Sequence, residues 1–355
     1  MSFYNTYRPK TFASIKGSKS AEIISKQIKL NKTAHSYILS GPPGTGKTTL
    51  ARVIAMALFC DNFNDEPCGK CNSCISIIND SHSDVYEVNC AVNNGVDHVR
   101  ENIVQLSRLA PSSGKYKIFI LDECHMLTNQ AQTSLIKITE EPPPFVKFFF
   151  CTTEPNKILR AIQTRSQMFP MRKLSIDDMS ELLLEVCSCE NLDYEPSALR
   201  MIAREANGSA RTSLSILEQC SVECVSEEFV RELLNKSPRN VAFSLIDSMV
   251  AKDRSEACRI LQSAYMEGRD MSGLILECSS CFIDAYKYMA LKTKKVDRIP
   301  EIECIARDVN SKHILEFAEQ LYNISISIRQ TVSEDIVAMT GVLKTIDWYA
   351  KVLVA

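Results

Sequence analysis

No apolar run in the sequence reaches the roughly 18–20 residues of a membrane-spanning helix. The opening stretch, Met-Ser-Phe-Tyr-Asn-Thr-Tyr-Arg-Pro-Lys, holds no apolar signal core. These two absences argue against a membrane-embedded chain and predict a cytoplasmic one. No charge of one sign dominates: 41 Lys and Arg face 43 Asp and Glu, a net charge of −2. That balance excludes a bulk electrostatic pull on nucleic acid, so any such contact must be local or built from several subunits. Internal repeats, low-complexity stretches and a long disordered tail are also missing. What remains is a 355-residue chain, 45% hydrophobic and 24% charged, long enough for two or three domains.

The most informative stretch is Gly41-Pro42-Pro43-Gly44-Thr45-Gly46-Lys47-Thr48, a complete phosphate-loop pattern. Its glycines let the backbone turn so that N–H groups point at a polyphosphate. Lys47 brings a mobile charge to the β- and γ-phosphates, and the Thr48 hydroxyl can join a magnesium shell. His35–Leu39 enters the loop as a strand, and Thr49–Leu58 leaves it as a helix whose positive end faces the phosphates.

A second half of the site follows about 75 residues later. Ile118-Phe119-Ile120-Leu121 reads as a buried strand, and it ends in Asp122-Glu123. Asp122 can hold magnesium or its water shell, and Glu123 can orient or deprotonate an attacking water. Phe148–Thr153 reads as a neighbouring strand. Thr153 at its end either touches the γ-phosphate or the attacking water, or simply caps the turn at Glu154-Pro155-Asn156.

Fifteen cysteines, in a chain expected to be cytoplasmic, read as metal ligands and core residues rather than disulfides. Cys60, Cys68, Cys71 and Cys74 lie within fifteen residues, with two overlapping C-x-x-C steps. Four thiolates so spaced suit tetrahedral zinc with no open position, hence a structural site. Cys187/Cys189 and Cys278/Cys281 fall in helical patterns and read as core or surface residues.

The first 170 or so residues alternate strands and helices, an α/β signature implying a parallel sheet. Strands are expected at Tyr37–Ser40, Val85–Asn89, Lys117–Asp122 and Val146–Thr153, and none after Pro170. Ser175-Ile176-Asp177-Asp178 reads as a capping box, Pro196 as a helix start and Gly208 as its end. These divide the chain into a nucleotide-binding domain at 1–170 with a zinc module at 60–74, a helical domain at 171–235, and a helical bundle at 236–355. The bundle opens after Ser237-Pro238. Phe243, Ile246 and Val250 share one helical face there, as do Ile336, Met339, Leu343 and Ile346.

In order along the chain come Tyr7-Arg8-Pro9-Lys10-x-Phe12, His35-Ser36-Tyr37, the phosphate loop, the four-cysteine insert and Asn93-Asn94-Gly95-Val96-Asp97. They are followed by Leu121–Leu127, Leu135-Ile136-Lys137, Glu140-Glu141-Pro142-Pro143, Phe150–Pro155, Thr164-Arg165-Ser166 and Gly208-Ser209-Ala210-Arg211. This series closely resembles the bacterial clamp-loader ATPase subunit, the gamma/tau family of DNA polymerase III within the AAA+ superfamily. The match is specific over about 1–220 and rests on helical pattern alone beyond it. The cysteine insert after the loop helix separates this family from other AAA+ loaders.

The resemblance implies an AAA+ P-loop domain, a small helical lid domain and a C-terminal collar domain for oligomerisation. It implies an ATPase that opens a sliding clamp and places it on primer-template DNA, with ATP, magnesium and zinc as cofactors. Implied partners are delta-like and delta-prime-like subunits in a hetero-pentamer, the clamp and the DNA. Arg165 matches an arginine finger that reaches a neighbouring subunit's ATP, and Arg211 matches the sensor arginine of the lid. Arg8 and Pro9, with Tyr7, match the segment beside the adenine. Lys137 is the candidate DNA-phosphate contact. Departures are Ser166 in place of the family's cysteine, Gly17-Ser18 for Gly-Gln, and Asn89-Cys90 where an acid is usual. The chain ends soon after the bundle and so resembles the family's short form, without the polymerase- and helicase-binding extension.

Two other readings stay in view. Asp122-Glu123-Cys124-His125 is literally a D-E-x-H helicase box, but no Ser-Ala-Thr motif or second motor domain accompanies it. A non-hydrolysing scaffold of the same fold would have no need of the phosphate loop, Asp122 and Glu123 together. No Asn-Lys-x-Asp motif supports a GTPase.

Overall fold

Five runs of mostly apolar residues pair side by side in the computed structural model, which describes residues 2–352 except 113, 223, 236–237 and 292–298. Ser237, read as part of the opening of the bundle, lies outside the described residues. The strands are β1 (Ser36–Ser40), β2 (Val85–Asn89), β3 (Lys117–Asp122), β4 (Val146–Thr152) and β5 (Gln167–Pro170). Their order across the sheet is β2-β3-β4-β1-β5, and every pairing is parallel.

Both faces of this sheet are covered, which explains the near-continuous apolar runs. Tyr37, Leu39, Ile118, Ile120 and Phe149 join one core with Ile24, Leu50 and Ile54 from helices Lys19–Lys29 and Lys47–Phe59. Ile38, Phe119, Leu121, Phe148 and Phe150 join the other with Val99, Ile103 and Leu135. The central strand β4 is buried along its whole length. Tyr37 stacks on Phe149 at 5.2 Å on one face, and Phe119 on Phe148 at 5.4 Å on the other.

Strand β5 is absent from the sequence expectation. Only Phe169 of its four residues is buried. So short and exposed a run has no readable periodicity, and Pro170 is tolerated because β5 is an edge. The register Ser40↔Pro170 and the bond from Met171 N to Ser40 O (2.6 Å) hold it there. Strand β4 stops at Thr152, one residue before the expected Thr153.

Two compact units divide the chain, Met1–Val225 and Ser226–Ala355. The first contains the sheet and three helices beyond it, Ile176–Glu190, Pro196–Glu205 and Ala210–Cys220. Ser175 caps the first of these, its hydroxyl accepting from Asp178 N at 3.1 Å. Cys187 is buried and Cys189 exposed on that helix, as their helical setting implied.

The second unit is helical among the described residues. Phe282 stacks on Phe317 at 4.7 Å in its core, with Ile246, Leu261 and Cys278 nearby. In the last helix, Glu334–Val352, Ile346 of the expected face is buried and Met339 and Leu343 pack against the core, but Ile336 is 61% exposed; Ala338, Val342, Thr345 and Tyr349 are buried as well. Gly341 lies at a close approach on this helix. A Cβ there would meet Ile324 at 2.8 Å, so the helix lies against Ser311–Arg329 on its small-residue side.

Phe149 is fully buried in the sheet core shared with Leu50 and Ile54 of the loop helix. Phe149→Ala should destabilise the first unit by about 3–5 kcal/mol, read as a lowered denaturant midpoint with an unchanged slope.

Candidate active site and metal centre

The phosphate-loop sequence sits where β1 meets the helix Lys47–Phe59. Gly41 N donates to Thr152 O of β4 (3.1 Å), fixing the start of the loop to the sheet. Gly44 adopts φ +73°, and a Cβ there would lie 2.1 Å from Ser209 Oγ. Glycine is therefore required both by the turn and by the close approach of the 209–211 segment. Ala210 N closes the same contact by donating to Gly44 O at 3.2 Å.

Lys47 is only 5% exposed. A buried ammonium needs acceptors, and Gly41 O and Pro42 O supply them, each at 3.0 Å. Pro42 O also accepts from Thr45 Oγ1 (2.9 Å). Thr48 Oγ1 donates to Asp122 Oδ1 at 3.0 Å, joining the loop helix to the end of β3.

Glu123 follows in the left-handed region at φ +48°, ψ 44°, a conformation that costs a non-glycine residue on the order of 1 kcal/mol. Its N–H donates to Asp122 Oδ1 (3.1 Å). Its carboxylate, one-third exposed, lies 3.3 Å from His125 Nδ1 and accepts from Thr153 Oγ1 at 3.5 Å. His125 Nε2 in turn lies 3.5 Å from Glu154 Oε1.

A cavity of about 360 Å³ opens over these groups. Pro43, Gly44, Thr45, Gly46, Lys47, Thr48 and Thr49 line it together with Asp122 and Glu123. Arg8, Pro9 and Arg211 line it too. Gly41 and Pro42 reach it through the carbonyls that hold Lys47. Thr153 stands behind Glu123 rather than in the wall.

Arg165 is not in this cavity. Following the short helix Arg160–Gln163, it donates to Ala161 O (2.7 Å) and pairs with Glu140. Ser166, where the family has cysteine, bonds inward to Ser36 Oγ (2.7 Å) and Ile162 O (2.8 Å). Lys137 is exposed on the helix Asn129–Glu140.

Sequence reasoning missed Tyr4 and Asn89 in the cavity wall. Tyr4 Oη accepts from Arg8 (2.8 Å) and Arg211 (2.7 Å), and both guanidinium groups lie over its ring. Burial opposes ionisation of this phenol. The Arg211 hydrogen bond and the charge of Arg8 outweigh it, and the pKa falls below its ordinary value. The signal in sequence was an aromatic four residues before Arg8. Asn89 could have been placed by register, since it pairs with Asp122. The apolar wall of Ile15, Leu174, Leu182 and Leu214 carries no such signal, because these residues resemble any core leucine or isoleucine.

Elsewhere in this unit, the Sγ atoms of Cys60, Cys68, Cys71 and Cys74 all lie within 4.8 Å of one another. Cys68 N donates to Cys60 Sγ (3.3 Å), and Lys70 N (3.5 Å) and Cys71 N (3.3 Å) donate to Cys68 Sγ. Gly69 at φ +64° makes this knuckle turn possible. Those two N–H groups lower the Cys68 pKa to about 6, favouring the thiolate, while burial raises Cys60 and Cys74. Four sulfurs at this spacing, with N–H···S support, fit a tetrahedral metal ion. One bound metal per chain is the expected content by elemental analysis. Cys68→Ser should abolish it and lower the melting temperature, because closing this loop then depends on packing alone.

Comparison with known proteins places these features in context. The model of the family described as DNA polymerase III, delta subunit matches residues 17–175. The model of the clamp loader subunit ATPase lid domain matches 178–222. The DNA polymerase III subunit gamma/tau of Mycoplasma genitalium is 36% identical over 300 residues, 83% of this chain and 50% of that protein. The subunit tau of Bacillus subtilis is 34% identical over 290 residues, 80% of this chain and 51% of that protein. The chain thus spans about half the length of the curated relatives it matches. A mutant of Thermotoga maritima RuvB shares the fold, with a TM-score of 0.50 and 17% identity over 68% of this chain and 80% of that one.

Proposed function

We propose that this chain, which belongs to the DNA polymerase III gamma/tau family, is an ATP-hydrolysing motor subunit of a sliding-clamp loader. The observation that carries the reading is the convergence of Lys47, Thr48, Asp122 and Glu123 on one cavity, with Arg211 entering from the lid. Lys47 would exchange its two carbonyl partners for β- and γ-phosphate oxygens. Thr48 and Asp122 would hold magnesium, which neutralises charge building on the phosphates. Glu123, already turned toward the cavity, would orient the attacking water and accept its proton. Thr153 and His125 restrain that carboxylate from behind. The apolar wall and the Arg8-Pro9 segment would take the adenine.

Arg165 lies outside its own chain's cavity, which supports a role at a neighbour's. The assembly would then be a ring or spiral, a hetero-pentamer with delta-like and delta-prime-like subunits, acting on a clamp and primer-template DNA. Three domains, 1–170, 171–235 and 236–355, would serve as motor, lid and collar. The exposed Lys137 would contact DNA phosphate, and the four-cysteine cluster would hold structural zinc.

The test is ATP turnover of the assembled complex with clamp and primed DNA. Glu123→Gln should bind ATP normally and hydrolyse it about 100-fold or more slowly. Arg165→Ala should lower turnover by about 1000-fold while leaving nucleotide affinity of its own chain unchanged. Unchanged turnover in the arginine variant removes Arg165 from the proposed role.

A further inference from the structure

The segment ahead of the first long helix lines the cavity in two groups: Tyr4, Tyr7, Arg8 and Pro9, then Ser14, Ile15 and Lys16. Phe12 and Ala13 lie between them, and both are gripped by one distant side chain. Phe12 N donates to Glu66 Oε2 at 2.6 Å, and Ala13 N donates to Glu66 Oε1 at 3.0 Å. A single carboxylate thus spans two consecutive amides, with charge-assisted bonds stronger than neutral ones. Such a contact across 53 and 54 residues is not a local cap.

Glu66 stands between Cys60 and Cys68, inside the loop that the sulfur cluster closes. Pro67 follows it and stiffens the approach to Cys68. The loop is tied to the domain on its other side as well, through Lys29–Asp65 (2.9 Å) and Ser25 Oγ to Asp65 O (3.4 Å). Beneath the carboxylate, Phe12 is buried in the same apolar cluster as Phe59, Cys74 and Ile77. Cys60, Cys68 and Cys71 pack at the edge of that cluster.

We infer that Glu66 is a positioning residue that couples metal binding at the four cysteines to nucleotide affinity in the cavity. The metal fixes the loop, the loop fixes Glu66, and Glu66 fixes Phe12 and Ala13. Arg8, Pro9, Ser14, Ile15 and Lys16 on either side are thereby held in the wall. The inference rests on the reading of the cavity as a nucleotide site. By linkage the coupling is reciprocal: nucleotide must tighten the metal by the factor with which metal tightens nucleotide.

The experiment uses the full chain and measures the Kd of mant-ADP by fluorescence titration, bound metal by elemental analysis and melting by circular dichroism. Glu66→Ala should raise the Kd by about five-fold or more with one metal ion retained. Glu66→Gln should raise it less, since an amide oxygen can accept only one side of the grip. Lys29→Ala, which breaks only the outer ion pair, should bind as the parent does. Stripping the metal from the parent chain should weaken nucleotide by a similar factor, and stripping it from Glu66→Ala should add less than about two-fold. A lowered melting temperature with a Kd equal to the parent's would make Glu66 a structural tie and overturn the coupling. Independent, multiplying effects of stripping and substitution would overturn it too. Should Glu66→Ala not fold, the near-isosteric Glu66→Gln decides, and an unchanged Kd there overturns the inference. A parent chain that binds no nucleotide overturns the cavity reading itself; a parent that binds equally with and without metal overturns only the coupling.

Discussion

The parallel register of β3, β4 and β1 is the constraint on which the site depends. Ser40 pairs with Thr152, and Leu121 pairs with Phe150, so the carboxyl ends of three strands come nearly level. The phosphate loop leaves one of them, Asp122 ends another, and Thr152 and Thr153 fill the gap between. Strand β4 separates the two halves, yet Thr48 reaches Asp122 at 3.0 Å. Since side chains alternate along a strand, a one-residue slip would exchange Phe148 and Phe149 between the two cores. Burial of aromatic side chains on both faces therefore specifies the geometry of the polar end. That is the sense in which the core builds the site.

Charge is arranged around this edge by position rather than by amount. Lys47, Asp122, Glu123, Arg8 and Arg211 all line the one cavity. Each would be costly alone, and each is held. Lys47 has two carbonyls, Asp122 has Thr48 and the Glu123 N–H, and the two arginines share Tyr4. One phenol oxygen that accepts from both guanidinium groups lets two like charges stand close together. The arrangement suits a polyanion that spans from the loop to the lid.

The chemistry was legible in the sequence where backbone and side chain impose the same pattern. Gly41–Thr48 needs its glycines for conformation and its lysine for charge, and the four cysteines need their spacing to converge. Strands β1, β3 and β4 were legible because burial on both faces leaves long apolar runs, and edge strand β2 because its five residues still carry Val85, Tyr86 and Val88. Strand β5 was not, because its four residues, with only Phe169 buried and two others exposed before it, are too few to show a pattern. One residue of the last helix, Ile336, was misplaced for a related reason. Ile336 and Ala338 compete for the core, and hydrophobicity favours the isoleucine. The close approach at Gly341 favours the alanine, and that approach is a property of two helices. Glu66, and Tyr4 in its bond to Arg211, act through partners far along the chain, which no local pattern can announce.

Arg165 sits just beyond the short helix Arg160–Gln163. Its guanidinium is occupied by Glu140 and Ala161 O on the outer surface, and Ser166 beside it is pinned inward on β1 through Ser36. The backbone that carries the arginine is thus fixed to the central sheet, and the side chain alone is free to change partners. An exposed ion pair of this kind holds a side chain by less than about 1 kcal/mol, so a phosphate in a neighbouring cavity would outcompete Glu140 readily. A rigid base with a weakly held tip is what a residue acting across an interface requires. The Ser36–Ser166 hydrogen bond supplies that fixed base from within the chain itself.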